Sequence, residues 1–95
     1  MVLVTYDVST TNASGAKRLR QVAKECQNYG QRVQNSVFEC ILDESKFVVL
    51  RAKLQKIIDK DNDSVRFYFF GNNWQRKVET IGRVTSIDLE GDLIF

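Results

Sequence analysis

The residue best able to do chemistry in this chain is Asp7, which ends the apolar stretch Met-Val-Leu-Val-Thr-Tyr-Asp and has Tyr6, Ser9 and Thr10 beside it. No histidine occurs among the 95 residues, so any activation of water falls to a carboxylate or to a bound metal ion. The ends of strands in α/β folds are where metals and phosphates are commonly held. An aspartate also caps turns and helices, and the local pattern alone leaves that second role open. Cys26 and Cys40 form no C-x-x-C pair and have no histidine to complete a zinc site, so they read as buried free thiols in a reducing compartment.

The cations are unevenly spread. Net charge is only +2, but residues 1–42 hold five basic groups (Lys17, Arg18, Arg20, Lys24 and Arg32) against three acidic ones, while residues 43–95 balance at nine of each. A positive field gathered near Asp7 suits a polyanion approaching that face. Arg18 and Arg20 are expected on the flanks of a helix, each laying its stem on the core and sending its guanidinium forward to a ligand.

The elements that position these groups follow from periodicity. Val2, Leu3 and Val4 make a short strand. Leu19, Val22, Ala23, Cys26 and Tyr29 fall on one face of a helix over 14–29, with Lys17, Gln21 and Lys24 facing water, Asn12 or Ser14 as cap and Gly30 as a left-handed stop. Two short strands are expected near 31–35 and 37–43. Asp43 or Ser45 then caps a second helix reaching about Lys60, with Phe47, Leu50, Leu54, Ile57 and Ile58 buried. Lys60 to Ser64 reads as a turn-rich loop, Val65 to Phe70 as a strand and Lys77 to Ile81 as another.

The order predicts an α+β, ferredoxin-like βαββαβ sandwich with an additional C-terminal strand, formed as a single domain over 1–95. Both faces of Val65 to Phe70 read as apolar, and the chain ends in Leu93-Ile94-Phe95. A homodimer packed sheet to sheet is therefore expected, with 77–95 as an extension that contacts the partner subunit. No apolar run nears the roughly 20 residues that span a bilayer, and the N-terminus lacks a signal-peptide pattern. A cytoplasmic protein without membrane contact is the expectation.

Four blocks, in order and spanning nearly the whole chain, carry a resemblance: Tyr6-Asp7-Val8-Ser9, the run from Lys17 to Lys24, Gly30 with Arg32 to Cys40, and Asp63 to Tyr68. Together they resemble the CRISPR-associated Cas two family, with Phe-Glu-Cys and the Trp74 region most like members accompanying type I-C systems. The resemblance implies a homodimer in which Asp7 lies near its two-fold mate and binds Mg²⁺, with Mn²⁺ as a substitute, for phosphodiester cleavage of double-stranded DNA or single-stranded RNA. It also implies a partnership with the Cas one integrase in spacer acquisition, and an alternative in which the dimer is a non-catalytic scaffold that bridges integrases and holds DNA. By position, the family's basic and aromatic residues fall on Arg18, Arg20, Arg32 and Phe38, with Tyr6 and Ser9 supporting Asp7. A phosphate loop like that of acylphosphatase is disfavoured by Asn35 and by its place after the first helix. An RNA-recognition motif is disfavoured because Val65 to Phe70 lacks interrupting glycines.

Overall fold

The computed structural model describes residues 1–9, 13–71 and 74–83. Its elements run β1 (Val2–Asp7), α1 (Ala13–Gln27), β2 (Gly30–Gln34), β3 (Val37–Cys40), α2 (Glu44–Ile57), β4 (Ser64–Phe69) and β5 (Val78–Gly82). The strands form one antiparallel sheet in the order β2-β3-β1-β4-β5. This is the expected ferredoxin-like βαββαβ arrangement with β5 added beside β4. β1 is central, so Asp7 emerges at the middle of one sheet end, directly opposite Ser64 of β4.

Alternation sorts the strand residues between faces. Val2, Val4 and Tyr6 of β1, Phe38 and Cys40 of β3, and Val65, Phe67 and Phe69 of β4 are buried together with Val22, Ala23 and Cys26 of α1 and Phe47, Leu50 and Leu54 of α2. Phe47 anchors this core, its ring edge-on to Phe67 and to Phe69 at 5.0 Å each. Burial of each such side chain is worth about 1.5–3 kcal/mol. Trp74 packs against the same cluster, 4.8 Å from Phe69. Arg76 lies over the Phe47 and Phe69 rings and pairs with Glu44 and Glu79, which ties the approach to β5 onto α2.

The other face of the sheet carries no helix among the described residues, and it is less apolar than the sequence reading expects. Leu3, Val37 and Tyr68 alternate there with Thr5, Glu39, Ser64 and Arg66, and Phe70 is exposed beyond the end of β4. Leu93, Ile94 and Phe95, expected to reach a partner, lie outside the described residues, as do Thr10 and the cap assigned to Asn12.

Three local expectations are corrected. Ser14 sits inside the first turn of α1 and not ahead of it. α2 ends at Ile57 and not near Lys60, because Ile58 turns to extended backbone while its N–H closes on the Leu54 carbonyl. Its N-cap is Asp43, whose Oδ1 accepts from the Lys46 N–H at 2.9 Å. Gly30 is not a left-handed stop, since only Gly71 and Gly82 have positive φ among the described residues. α1 closes instead through a tight turn in which the Asn28 and Tyr29 N–H groups bond to the Glu25 and Cys26 carbonyls. Gly30 is needed because β3 passes too close for a side chain: a Cβ there would meet the Glu39 carbonyl oxygen at 1.8 Å.

Candidate nucleic-acid interface and the Asp7 site

Asp7 stands on the open face of the sheet, with its side chain 78% exposed. Thr5, Ser36, Ser64 and Arg66 line a depression of about 320 Å³ around it. Arg83, just past β5, places Nη2 3.7 Å from Asp7 Oδ2. Among the described residues no group of three or more carboxylate, thiol or imidazole side chains comes together. Mg²⁺ usually takes one or two carboxylates and fills its shell with water and phosphate. The donor set of one chain, a single open carboxylate near three hydroxyls, therefore fits a water-rich ion that a second carboxylate would complete, and does not fit an enclosed protein cage.

Around the edge of the sheet from Asp7 lies a groove of about 720 Å³ whose cations are Arg20, Lys24 and Arg32, accompanied by Gln27, Asn35 and Ser36. No carboxylate lines it. Arg32 holds its guanidinium 5.3 Å over the ring of Phe38. Phe38 is itself fully buried and stacks on Tyr6 with centroids 6.1 Å apart. Phe38 thus serves as a seat for Arg32 and offers no ring to a base. Tyr6 also lines the groove, and its hydroxyl reaches the Asn35 carbonyl at 3.4 Å. Burial pushes the Tyr6 phenol above its ordinary pKa, against the pull of Arg32.

Arg18 does something the sequence reading does not foresee. Its guanidinium turns inward to Asp63, with Nε 2.7 Å from Oδ2 and Nη2 3.3 Å from Oδ1, and Nη1 reaches Ser14 Oγ at 3.1 Å. Asp63 is completely buried, and its carboxylate also accepts the Ser9 N–H at 3.0 Å and the Asp59 N–H at 2.8 Å. Ser9 thus contributes its backbone here. Residues two apart on a helix project about 200° from each other, which is why Arg18 faces Asp63 while Arg20 faces the groove. Arg18, expected at a phosphate, here forms an internal ion pair with Asp63. Asp63 enters the sequence reading as part of a turn-rich loop and of the Asp63 to Tyr68 block, with no role assigned, and its partner lies 45 positions away, so no local spacing signals the pair.

Burial acts to raise the Asp63 carboxyl pKa, but Arg18 and the Asp59 and Ser9 amides outweigh it and hold the carboxyl below the usual carboxylate range. A lowered native pKa contributes stability that is complete above the unfolded-chain value of about 4 and is lost as pH falls through the native value. Urea unfolding between pH 5 and pH 2 should accordingly show a shallower acid loss for Asp63→Asn than for wild type. Parallel curves would remove Asp63 from the account.

The two cysteines are buried free thiols, pushed up to about 12 for Cys26 and about 11 for Cys40 by burial first of all. Thiols so reluctant to ionise are poor nucleophiles at neutral pH. No helix among the described residues is long and apolar enough to cross a membrane.

The sequence profile of CRISPR associated protein Cas2 matches residues 1–78. This chain belongs to the Cas2 family. It is 59% identical to the CRISPR-associated endonuclease Cas2 of Halalkalibacterium halodurans, covering all of this chain and 99% of that protein. It is 56% identical to the CRISPR-associated endoribonuclease Cas2 3 of Rhodospirillum rubrum, over the full length of both. The crystal structure of Streptococcus pyogenes Cas2 at pH 6.5 superimposes with a TM-score of 0.70 at 60% identity, covering 85% of this chain and 98% of that one. A hypothetical protein from Thermus thermophilus, TT1823, gives 0.66 at 32% identity, over 87% and 93% of the two chains. The Cas2 relatives differ in whether their names specify RNA, so membership leaves the choice of polymer to the site itself.

Proposed function

We propose that this Cas2 chain is a homodimeric, Mg²⁺-dependent endonuclease of CRISPR adaptation that holds a nucleic-acid backbone in the Arg20–Lys24–Arg32 groove and cleaves it at Asp7. The observation that carries the reading is a groove of three cations without a carboxylate, sharing Tyr6 of β1 with the strand end that presents Asp7. The names of its relatives, endonuclease and endoribonuclease, support hydrolysis of a phosphodiester.

In this mechanism Arg20, Lys24 and Arg32 grip phosphates and leave the bases unread, as expected of cations with no base-reading motif around them. The Phe38 ring under Arg32 fixes that guanidinium's position. Asp7 would supply one oxygen ligand to the ion and orient water toward the scissile phosphate, and the Asp7 of a second copy, brought up against the open sheet face, would supply a second carboxylate ligand. The chemistry that Mg²⁺ would supply when held there is a lowered pKa for bound water and neutralisation of charge on the departing oxygen. Metal binding would then require the dimer, while the dimer would not require the metal. The same dimer, with DNA along its grooves, is the body that joins the Cas one integrase in spacer acquisition.

A second reading, a non-catalytic scaffold, draws on the sparseness of the site: within one chain the Asp7 carboxylate meets the Arg83 cation, and no second carboxylate is among the described residues lining the depression around it. The two readings part on a direct assay. Purified dimer with single-stranded RNA and double-stranded DNA, with and without Mg²⁺, should cleave only with the metal. Tight binding without cleavage in any condition would leave the scaffold. Under either reading, Arg20→Ala with Arg32→Ala should weaken binding about equally across sequences and reduce the slope of log affinity against log salt by roughly two contacts, at about 0.7–0.9 per contact. A selective loss for one sequence with an unchanged slope would contradict backbone gripping.

A further inference from the structure

Asp63 sits where four segments meet. Its carboxylate accepts from the Ser9 N–H at 3.0 Å, two residues beyond Asp7, from Arg18 of α1 at 2.7 Å, and from the Asp59 N–H just after α2 at 2.8 Å. Its backbone carbonyl accepts the Arg83 N–H at 2.7 Å, fixing the residue that follows β5. The neighbouring Gly82, with φ of 90°, permits this approach, because a Cβ there would lie 2.3 Å from the same Asp63 oxygen. Ser64, the next residue along, stands in register with Asp7 across β1 and β4. One buried residue thus holds both chain segments from which the Asp7 carboxylate and the Arg83 guanidinium project, 3.7 Å apart, onto the open face.

We propose that Asp63, oriented by Arg18, is the positioning residue of the Asp7 site, presenting the Asp7 carboxylate and the Arg83 guanidinium as one unit to a divalent cation and the phosphate bound with it. The inference rests on the reading of Asp7 as a metal ligand. It gives Arg18 a part in the reaction without any contact with the nucleic acid. It also separates two halves of the surface: the Arg20–Arg32 groove is lined by residues of α1, β2, the turn after it and Tyr6 of β1, and the Asp63 carboxylate bonds to none of these lining residues, meeting α1 only at Arg18. A charge lost at position 63 should therefore disturb the Asp7 end and spare the groove, whereas a general loss of structure would disturb both.

The test uses the full chain, Mn²⁺ alone as probe, and paramagnetic broadening of backbone amide signals near Asp7, alongside binding of a short single-stranded RNA to the groove. Asp63→Asn should raise the Mn²⁺ dissociation constant about tenfold and release the Ser9 and Arg83 amides to faster hydrogen exchange, with RNA affinity unchanged. Arg18→Lys keeps a positive charge but not the two-toothed grip, and should shift both readings the same way by a smaller factor; it carries the test if Asp63→Asn does not fold. Unchanged Mn²⁺ affinity in a folded variant, while Asp7→Asn binds none, would overturn the inference alone. Equal loss of Mn²⁺ and RNA binding would show a structural role only and overturn it too. Equal broadening in wild type and Asp7→Asn would overturn the metal reading beneath it.

Discussion

Asp7→Asn is expected to lose Mg²⁺-dependent cleavage by at least about a hundredfold, the lower end of what a positioned acid or base supplies, with its urea unfolding curve and sedimentation unchanged. The side chain is 78% exposed. Its contact with Arg83 is 3.7 Å long between two solvated groups, a kind of pair worth at most about 1 kcal/mol. The isosteric amide keeps the strand pairing with Ser64 and removes only the charge. Among the described residues no replacement is at hand, because histidine is absent and no second carboxylate lines the depression around Asp7. Binding of nucleic acid should survive or tighten slightly, since a negative charge is gone and the groove cations are untouched. Undiminished cleavage by the folded variant would remove Asp7 from catalysis and favour the scaffold reading. A loss of binding in step with cleavage would mean that Asp7 organises the surface and does not act on the phosphate.

The parts of this protein that were legible in its sequence are those fixed over a few residues. Alternation in Val2 to Tyr6 and in Val65 to Phe69 reports which side of each strand meets the helices, and the spacing of Phe47, Leu50 and Leu54 reports one face of α2. The place of Asp7 at the end of β1 was legible because an apolar strand ending in a lone carboxylate is a local pattern. Arg20 and Arg32 belong together in a groove, yet their sequence signal was only a regional excess of charge. The Arg18–Asp63 pair was not legible for a definable reason: Arg18 and Arg20 flank the same apolar stripe, and the group that separates them, Asp63, stands just before β4, 45 residues away. The open sheet face was overestimated in apolar character because residues of one strand reveal its own two sides, while Thr5, Glu39 and Ser64 enter that face through register with β1, β3 and β4.

Gly30 offers the largest expected effect on stability, and it tests the part of the fold on which the groove depends. Glycine near a helix end is commonly there for a left-handed turn, where alanine costs roughly 1 kcal/mol of strain. Gly30 has no positive φ. Its constraint is space, since a Cβ would stand 1.8 Å from the Glu39 oxygen and 2.7 Å from both Glu39 C and Cys40 Cα. All three are backbone atoms, and none can swing aside as a side chain would. Moving β2 outward would break its ladder with β3 at the Gly30–Cys40 pair and strain the Ile41 N–H to Tyr29 carbonyl bond of 3.0 Å beside it. Gly30→Ala should therefore cost about 3 kcal/mol or more, at or beyond the upper end for overpacking, a large fraction of the 5–15 kcal/mol typical of a whole domain. Gly71→Ala is the matched control: its φ is 112° but no atom lies within 4 Å of the added methyl, so it bears conformational strain alone. Urea unfolding should rank the two far apart, with Gly71→Ala the milder. Because β2 carries Arg32 and β3 carries the Phe38 ring beneath it, a Gly30→Ala protein that remains folded should also bind nucleic acid as weakly as Arg32→Ala. A Gly30→Ala protein within 1 kcal/mol of wild type and with full affinity would show that β2 and β3 can part without loss, and that the groove does not depend on their close approach.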